Sequence, residues 1–313
     1  MPEATASPGG LNDPRALDPW ARLTAVTVAY RSAAVIGDCL RSVARARAAI
    51  VVDNASDDDS ADAARRALPG ATIISNAVNQ GFGRANNQGV ALAETEFALL
   101  INPDAQMTPG SVEMLVAAAD ANPNAGIIAP AILNADGARI ASHNVSLFDQ
   151  DRVRGKERRP PDGDICADFL SGAVMLVRTS MFRDVGGFDA NIFLYFEDDD
   201  LCMKIRRAGH ALVQVPAAAA IHQGGLSSPP TDEILRRKYW HHAWSRLYIE
   251  SKHRDDAGAR AWGRRNVRAY KIKALWHKLA GHKDKARRDR ARLDGTRAFL
   301  EGRSALTEAG IKI

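Results

Sequence analysis

Short apolar runs alternate with stretches of helical spacing over the first third of the chain. The runs are rich in β-branched residues, which is typical of buried strands. The predicted strands are residues 23–30, 49–53, 72–74 and 97–101. Helices are predicted at residues 33–46 and 84–94, and a short Ala-rich helix follows the second strand. Strands that alternate with helices predict an α/β fold with a right-handed, doubly wound and mostly parallel sheet.

The pattern continues less regularly after residue 104. A helix is predicted near 111–120, strands at 126–130 and 211–215, and a longer buried run at 169–177. Residues 132–140 predict a hairpin with its turn at 134–137. The stretch 149–164 lacks apolar periodicity, so it predicts a mobile loop.

Four consecutive carboxylates open a stretch of helical spacing that runs to His210. Helical phase places Glu197 and Asp198 on the face of the apolar residues that follow. Asp199 and Asp200 fall in line with the basic residues instead. We therefore expect the first pair to point toward the core, where a pocket could lie, and the second pair toward solvent or neighbouring bases. The alternative is that the four acids only complement the positive end of the helix dipole.

Several polar residues stand where predicted strands end. Tyr30, Asp53, the Gly81 loop and Asp104 all follow strands, and ligands of open α/β sheets bind at the carboxyl ends of the strands. Asp53 is placed to accept hydrogen bonds from a base or ribose, and Asp104 can hold a divalent cation. An inward carboxylate of the acidic helix can take a proton from a hydroxyl. This chemistry suits transfer of a group from a nucleotide diphosphate carrier to an alcohol.

Other enzyme classes that use such sheets lack support. The Gly81-Phe82-Gly83 loop has Asn86 where a dinucleotide fingerprint needs a third glycine, and it follows the third strand instead of the first. The chain holds no GxxxxGK[ST] motif of P-loop enzymes and no GxSxG nucleophile elbow. A nucleotidyltransferase would normally carry a Gly-rich basic loop after the first strand, and AYRSAAVIG differs from that.

Charge divides the chain into two parts. Residues 231–313 hold 22 Lys and Arg against 10 Asp and Glu, a balance of +12, whereas residues 1–230 hold 20 against 27, or −7. No apolar run is long enough for a transmembrane helix. Residues 1–22 lack the features of a secretory signal and predict a disordered leader. The three widely spaced cysteines fit reduced thiols in a cytoplasmic protein.

The basic C-terminal part is predicted to be helical. Ile272, Leu275, Trp276 and Leu279 have the spacing of one helix face, with lysines beside them. That pattern is typical of a helix at a membrane interface, although such helices also pack on their own domain. We expect contact with an anionic membrane surface or packing within the protein, and no nucleic-acid partner.

Six motifs occur in an order and spacing that resemble a known family. They read VTVAYRS, VVDNASDDDS, NQGFGRANNQG, LLINPDA, FLSGAVMLVRTSMFRDVGGFD and YFEDDDLCMKIRRAG. The run from Leu23 to about Ser228 resembles the inverting family 2 glycosyltransferases of GT-A fold, in particular their bacterial rhamnosyltransferase-like branch. Two departures stand out: Ala29-Tyr30-Arg31 replaces the commoner Thr-Tyr-Asn, and Asn102-Pro103-Asp104 offers one carboxylate where many GT-A enzymes have Asp-x-Asp.

The resemblance implies a set of site residues. The implied nucleotide-sugar contacts are Ala29, Tyr30, Asp53, Gly81, Arg84, Asn86, Asn102 and Asp104. Asp104 and His222 would hold a divalent cation, Mg²⁺ or Mn²⁺. Asp198, or Glu197 beside it, would be the general base, and the acceptor would meet Asp168, Ser171, Gly172 and Asp189.

The resemblance also implies a domain plan and an activity. Residues 23–104 would form the nucleotide-sugar half, 105–230 the acceptor half and 231–313 a basic helical extension. The expected enzyme is cytoplasmic, or peripheral at the inner face of the plasma membrane. It would move a sugar such as rhamnose from a UDP- or dTDP-sugar to a glycan or polyprenyl-diphosphate-linked acceptor in cell-envelope polysaccharide synthesis. The alternative is a non-catalytic nucleotide-sugar-binding scaffold, and an oligomer is compatible with either.

Overall fold

The computed structural model describes residues 18–150, 163–224 and 231–311. Most of the predicted mobile loop at 149–164 and most of the predicted leader therefore lie outside the described residues. Residues 18–22 of the predicted leader are ordered, because Asp18 caps a 3-10 turn at Pro19–Arg22 whose Trp20 and Arg22 side chains are buried. The predicted boundary at residue 23 is thus wrong for residues 18–22. The composition of this segment is typical of a loop, so it gave no sign that Trp20 is buried or that Arg22 is bonded to Glu96 and Asp120.

The first half is the predicted parallel α/β unit. Its strands are β1 (Leu23–Ala29), β2 (Ala48–Asp53), β3 (Thr72–Ser75) and β4 (Phe97–Ile101). Its helices are α1 (Ile36–Ser42), α2 (Ser60–Ala67) and α3 (Phe82–Ala91). The strands lie in the order β3-β2-β1-β4 and pair in parallel, with Ala29 beside Asp53. The residues that follow β1, β2 and β4 therefore meet at one edge of the sheet.

The second half is mixed. Its larger elements are β5 (Ala105–Met107), α4 (Ser111–Ala121), β6 (Ala125–Leu133), β11 (Val174–Arg178), α5 (Thr179–Asp184) and β12 (Ala211–His222). Its short strands are β7 (Arg139–Ile140), β8 (His143–Asn144), β9 (Ile165–Cys166) and β10 (Phe169–Leu170). β6 and β7 form the predicted hairpin. β11 runs antiparallel to both β4 and β6, and β12 pairs in parallel with β6 but antiparallel with β5.

The expectation of a mostly parallel sheet therefore holds for β1 to β4, whereas beyond them the parallel β6–β12 pair stands among antiparallel pairs. Buried apolar runs look alike in parallel and antiparallel central strands, so composition gives the strands without their directions. The predicted single run at 169–177 is also two strands, β10 and β11, separated by the 171–173 turn. The N–H of Gly172 in that turn donates a hydrogen bond to Asp198.

The sheet is buried on both faces. Alternate residues of each central strand belong to two apolar clusters, as Leu99 and Leu100 of β4 illustrate. Helix α4 packs on one face through Val112 and Leu115. The acidic helix α6 (Glu197–Arg207) packs on the other through Leu201, Cys202 and Ile205.

The basic C-terminal part forms helices, as predicted. They are α7 (Asp232–His253), α8 (Asp256–Leu279), α9 (Lys283–Leu300) and α10 (Ala305–Glu308). α7 buries Trp240, Trp244 and Leu247 in a cluster that includes Phe193 of the preceding domain. The extension thus shares a core with the sheet domain. Within the described ranges, no helix is long and apolar enough to cross a membrane.

Candidate active site

A cavity of about 420 Å³ opens at the carboxyl edge of β1 and β4. Of the predicted site residues, Tyr30, Gly81, Asn102 and Asp104 line it. These four follow three separate strands, β1, β3 and β4, and the parallel register of β3, β2, β1 and β4 brings their ends to one edge. The cavity therefore lies where the sequence predicts a nucleotide-binding edge.

Gly81 shapes one wall of this cavity. Its φ of 84° lies in a region that favours glycine, and a Cβ built there would approach the Phe193 carbonyl oxygen to 2.3 Å. The same carbonyl accepts a hydrogen bond from the Phe82 N–H at 3.2 Å. The loop between β3 and α3 is thereby fixed against the segment that leads into the acidic helix. A side chain at position 81 would force the two apart.

Asn102 and Asp104 form another part of the wall, and His222, which is not among the lining residues, contacts both. β5 follows Asp104 directly and pairs antiparallel with the end of β12, which places His222 beside it. His222 Nε2 lies 3.1 Å from Asp104 Oδ1 and 3.5 Å from Asn102 Nδ2. Asn102 Oδ1 is buried without a hydrogen-bond partner in the described structure. One carboxylate, one imidazole and an orphaned amide oxygen form a donor set that fits a divalent cation.

The other predicted nucleotide contacts do not line this cavity. Ala29 and Asp53 are buried side by side at the ends of β1 and β2. Asp53 Oδ1 accepts a hydrogen bond from the Ser56 N–H at 3.3 Å, which orders the turn after β2. Arg84 and Asn86 lie on α3, and the buried Asn86 amide donates to the Phe82 carbonyl. Their proposed contact with a nucleotide stays a prediction.

The first two acids of α6 have different surroundings. Asp198 Oδ2 accepts a hydrogen bond from the Gly172 N–H at 3.1 Å, and its Oδ1 accepts one from the Asp199 N–H. Glu197 is buried, and its Oε2 has no partner in the described structure. Burial and the neighbouring Asp198 charge raise the pKa of Glu197 well above its ordinary range. Burial also raises the pKa of Asp198, but these N–H groups oppose the rise by stabilising its ionised form.

The second two acids of α6 are not turned toward solvent, which corrects half of the expectation for them. Asp199 is buried, and Asp200 is fully buried between α6 and the end of α7. Asp200 Oδ1 lies 2.7 Å from Lys252 Nζ and 2.6 Å from His253 Nε2, so neighbouring bases do meet it. Burial and the Asp198 charge raise the pKa of Asp199 to about 8. Helical phase failed here because α7 covers the face that would otherwise be exposed.

Two predicted acceptor residues hold structure around Asp198. Gly172 supplies the N–H that orients it, and the Ser171 hydroxyl accepts a hydrogen bond from the Ala173 N–H at 3.3 Å. A third, Asp168, is ion-paired with Arg206 of α6 at 2.7 Å. The turn between β10 and β11 is thus built around the acidic helix.

The fourth predicted acceptor residue, Asp189, belongs to a contact with the extension. Its Oδ2 lies 2.5 Å from Lys252 Nζ and accepts a hydrogen bond from the Tyr248 hydroxyl at 2.9 Å. Although burial acts in the other direction, the hydrogen bond from Lys252 holds the pKa of Asp189 below its ordinary value. Asp189 therefore ties the turn before α6 to α7. A role in acceptor binding stays a prediction for all four residues.

Helix α7 supplies cavity residues that the sequence did not indicate. Its first turns contribute Ile234, Leu235, Arg237 and Lys238 to the lining. Neither the Arg237 nor the Lys238 side chain forms an ion pair or hydrogen bond with any described residue, although the Arg237 charge helps to lower the pKa of Glu233, and Arg237 lies over the Phe193 ring at 5.4 Å from its centroid. Unpaired cations beside a cavity that already holds a metal-type donor set favour an anionic ligand.

The same helix holds the entrance to α6. His241, one turn after Arg237, stacks on Phe193 with ring centroids 4.6 Å apart. Two non-glycine residues that follow, Tyr195 and Phe196, have positive φ angles of 70° and 66°. Such strain persists only where the surroundings fix it, and here His242 packs against both rings. The extension thus fixes the segment from which Glu197 and Asp198 emerge.

Comparison with known proteins identifies the family. The model of glycosyl transferase family 2 matches residues 24–186, which is more than half of the chain. The chain belongs to glycosyl transferase family 2. The predicted enzyme class, a glycosyltransferase, is confirmed by this match. The matched range holds the whole β1 to β4 half and ends before the acidic helix, His222 and α7.

Curated relatives agree with the predicted branch of this family. The chain is 30% identical over 240 residues to the N-acetylglucosaminyl-diphospho-decaprenol L-rhamnosyltransferase of Mycobacterium tuberculosis, which covers 65% of this chain and 75% of the relative. It is 49% identical over 59 residues to rhamnosyltransferase WbbL of Escherichia coli K12, which covers 19% of this chain and 22% of that protein. The predicted resemblance to rhamnosyltransferases is thereby confirmed.

Solved structures confirm the fold of this family 2 glycosyltransferase. The mannosyltransferase PcManGT from Pyrobaculum calidifontis, in complex with GDP-Man and Mn²⁺, superposes with a TM-score of 0.54 at 16% identity, covering 90% of this chain and 88% of that one. S. aureus TarS 1–349 gives a TM-score of 0.51 at 16% identity, covering 90% and 92%. At these identities the likeness shows the fold alone, which is the predicted GT-A fold with C-terminal helices.

Proposed function

We propose that this family 2 glycosyltransferase moves a sugar, rhamnose in the first instance, from a UDP- or dTDP-sugar to a hydroxyl of a polyprenyl-diphosphate-linked glycan. The observation that carries the proposal is the convergence of Asn102, Asp104 and Arg237 around one cavity, with His222 in contact with Asp104. A nucleotide diphosphate carries the charge that such a site neutralises. The similarity to the N-acetylglucosaminyl-diphospho-decaprenol L-rhamnosyltransferase of Mycobacterium tuberculosis supports both rhamnose and the lipid-linked acceptor.

The general base in this proposal is Asp198. Within the coupled pair, Glu197 is buried and has an oxygen without a partner, so it is the member that keeps the proton. Asp198 is oriented by the Gly172 N–H and carries the charge. Its carboxylate takes the proton of the acceptor hydroxyl as the oxygen attacks the anomeric carbon.

The sugar is transferred by a single displacement. The bond between the anomeric carbon and the diphosphate oxygen breaks as the new bond forms on the opposite face, so the anomeric configuration inverts. The electron pair leaves with the nucleoside diphosphate, and the proton remains on Asp198 until solvent removes it. Glu197 stays neutral beside it, which prevents a second buried charge from competing for that proton.

Asn102, Asp104 and His222 are the residues that would hold a divalent cation, Mg²⁺ or Mn²⁺. The orphaned Asn102 Oδ1 and the adjacent Asp104 carboxylate and His222 imidazole fit that role. A bound divalent cation neutralises charge that develops on a leaving diphosphate. Within the described ranges no group of three or more His, Cys, Asp or Glu side chains is gathered, so diphosphate oxygens and water would complete the coordination.

Arg237 and Lys238 complete the donor site in this proposal. The 102–104 turn has a single carboxylate, so it provides few ligands for a cation that would neutralise the negative charge of the diphosphate. Two side chains of α7, Arg237 and Lys238, line the cavity and can balance the diphosphate charge directly. Arg237 is held by its stacking on Phe193, which fixes its guanidinium for a bidentate contact.

A lipid-linked acceptor places the reaction at a membrane. We expect the enzyme to be cytoplasmic and peripheral at the inner face of the plasma membrane, where nucleotide sugars and the carrier diphosphate meet. The excess of positive charge in the extension supports this location, because the cytoplasmic leaflet is anionic.

The test is a nucleotide-release assay with UDP-, dTDP- and GDP-sugars, Mg²⁺ or Mn²⁺, and a polyprenyl-diphosphate-linked N-acetylglucosamine acceptor. We expect acceptor-dependent release from one dTDP- or UDP-sugar and a product of inverted configuration by NMR. Binding of a donor without release in any combination would favour the scaffold alternative. If variants at Asn102 and Asp104 release nucleotide as the unaltered enzyme does, the proposed donor site is contradicted.

A further inference from the structure

The second half of α8 carries an exposed apolar stripe. Ile272 is 69% exposed, Leu275 and Trp276 are 59% exposed each, and Leu279 is 79% exposed. Among the described residues these four are the most exposed of the large hydrophobic side chains, and they lie on one face of one helix. A contiguous patch of this kind on a soluble surface marks a site of interaction.

The stripe lies on a helix that is held in place on its other side. Early in α8, Gly263 packs against Leu247 of α7 and Leu300 of α9. Near the end of α8, His277 Nδ1 lies 3.0 Å from the buried Asp289 of α9. The α8–α9 hairpin is therefore fixed along its length, and the four side chains remain uncovered although the helix that carries them is ordered.

Free positive charge surrounds the stripe. Residues 271–290 hold eight Lys and Arg against two Asp. The arginines there are largely paired, as Arg287 is with Asp232 at 2.6 Å. The lysines are not: five of them form no ion pair or hydrogen bond with any described residue, namely Lys271, Lys273, Lys278, Lys283 and Lys285. The uncommitted cations are thus the flexible side chains that flank the apolar residues.

A groove connects this surface with the cavity of about 420 Å³ proposed to bind the sugar donor, here called the donor cavity. It has a volume of about 1110 Å³ and lies between α7, α8 and α9, with Leu275, Lys271, Lys278 and Lys285 in its walls. Leu235 lines both the groove and the donor cavity. The basic apolar surface therefore adjoins the side of the active site that α7 forms.

We propose that this end of the α8–α9 hairpin, residues 271–285, docks on an anionic lipid bilayer. Trp276 and its three aliphatic neighbours enter the interface between headgroups and acyl chains, and the five lysines contact headgroup phosphates. The donor cavity then faces the leaflet in which a lipid-linked acceptor is held. The docking itself needs no substrate, and its link to the acceptor rests on the proposed function.

Charge and apolarity together favour a bilayer over other occupants. In a two-fold interface with a second copy the same patch would face itself, which would bring unpaired lysines of both copies together. A nucleic acid would satisfy the lysines but would leave four large apolar side chains without a partner. An anionic bilayer offers phosphates and an apolar layer at neighbouring depths, which matches both parts of the surface.

The test is sedimentation of the full chain with phosphatidylcholine vesicles that contain or lack phosphatidylglycerol. The stripe variant combines Leu275→Ser, Trp276→Ser and Leu279→Ser, and the charge variant combines Lys271→Gln, Lys273→Gln and Lys278→Gln. We expect the charge variant to lose about a hundredfold in affinity for anionic vesicles, since each basic residue near the surface adds about a factor of five. The stripe variant should lose binding to an extent that added salt does not reproduce.

Leu92→Ser is the matched control, because Leu92 is 53% exposed at the far end of α3. It should bind vesicles as the unaltered chain does. Equal vesicle binding by the stripe variant and this control would overturn the proposal. So would a stripe variant whose oligomeric state, measured by light scattering, changes while its vesicle binding does not. Nucleotide release measured without vesicles, on a soluble acceptor analogue, should be unchanged in all three variants. Failure of that assay in the unaltered chain would sink the proposed function and leave the docking result standing.

Discussion

The parallel α/β half and the C-terminal extension differ in how clearly the sequence indicates their contribution to the cavity. Residues 23–104 carry motifs at strand ends, and the fold brings Tyr30, Gly81 and Asp104 to one cavity as those motifs indicate. The extension carries only charge and helical spacing, yet α7 lines the same cavity and shares a core with Phe193. A glycosyltransferase site can thus depend on a segment that looks like an appendage, because the contacts that matter are made across the fold.

The largest expected effect falls on the acidic helix and separates its first two members. Asp198→Asn should lower kcat by about 10³-fold, since it removes the proposed base while leaving the shape of the site. Glu197→Gln should retain most of the activity, because its burial and raised pKa already keep Glu197 neutral. Both variants should bind nucleoside diphosphate as the unaltered enzyme does.

The pH profile of the same assay adds to this comparison. Ionised Asp198 is the active form, and its pKa is raised by burial, so kcat should fall with decreasing pH at a pH above the ordinary range of aspartate. Steady-state kinetics across pH would measure it. A loss of activity in Glu197→Gln that matches the loss in Asp198→Asn would contradict the assignment of the base.

The next effect concerns the junction between the two regions. Asp200 is fully buried and meets Lys252 and His253 of α7, so Asp200→Ala should lower the free energy of unfolding by about 3 kcal/mol. Asp294→Ala removes an exposed pair with Arg290 within the extension and should cost about 0.5 kcal/mol or less. Urea unfolding of both variants measures the difference. Similar small losses in the two would show that the junction contributes little to stability.

The smallest expected effect is a pH dependence of stability that comes from Asp199. Its folded pKa of about 8 exceeds the ordinary aspartate value of 3.8, so the unfolded chain loses this proton first as pH rises. The free energy of unfolding should therefore fall as pH rises toward 8. Asp199→Asn, which does not titrate, should gain stability relative to the unaltered protein as pH rises from 5 to 8, because its side chain binds no proton in either state.

Urea unfolding at the two pH values checks this prediction. Because Arg246 opposes the rise in the Asp199 pKa, an Arg246→Gln background should enlarge the difference. A difference between the variants that does not change with pH would mean that Asp199 is ionised in the folded protein.

Much of the fold was predictable because apolar runs mark buried strands whatever their surroundings. β1, β2, β3 and β4 begin and end within one residue of their expected bounds. Strand direction in the second half was not predictable, since buried β11 would look the same in either orientation. The phase of α6 placed Glu197 on the buried side, but Asp198 is only half-buried, and phase could not show that α7 covers Asp199 and Asp200.

The site residues also fall into those that the sequence could predict and those that it could not. Motif residues at strand ends came together because a parallel sheet gathers its carboxyl ends at one edge. Arg237 and Lys238 could not be found from sequence, since nothing in a basic helix says which of its many cations faces a cavity 130 or more residues earlier in the chain. Arg236, next to Arg237, is paired with Glu233 and Glu308 and lies outside the donor cavity.

That neighbouring pair allows the most direct test of the claim that the extension completes the donor site. The measurement is calorimetric titration of nucleoside diphosphate and nucleoside monophosphate, with Mn²⁺, into Arg237→Ala and Arg236→Ala. Arg237→Ala should weaken diphosphate binding by about 10- to 100-fold, the loss of a charged hydrogen-bonding contact, and should leave monophosphate binding nearly unchanged. Arg236→Ala should bind both as the unaltered enzyme does. Equal diphosphate affinities in the two variants would contradict the account.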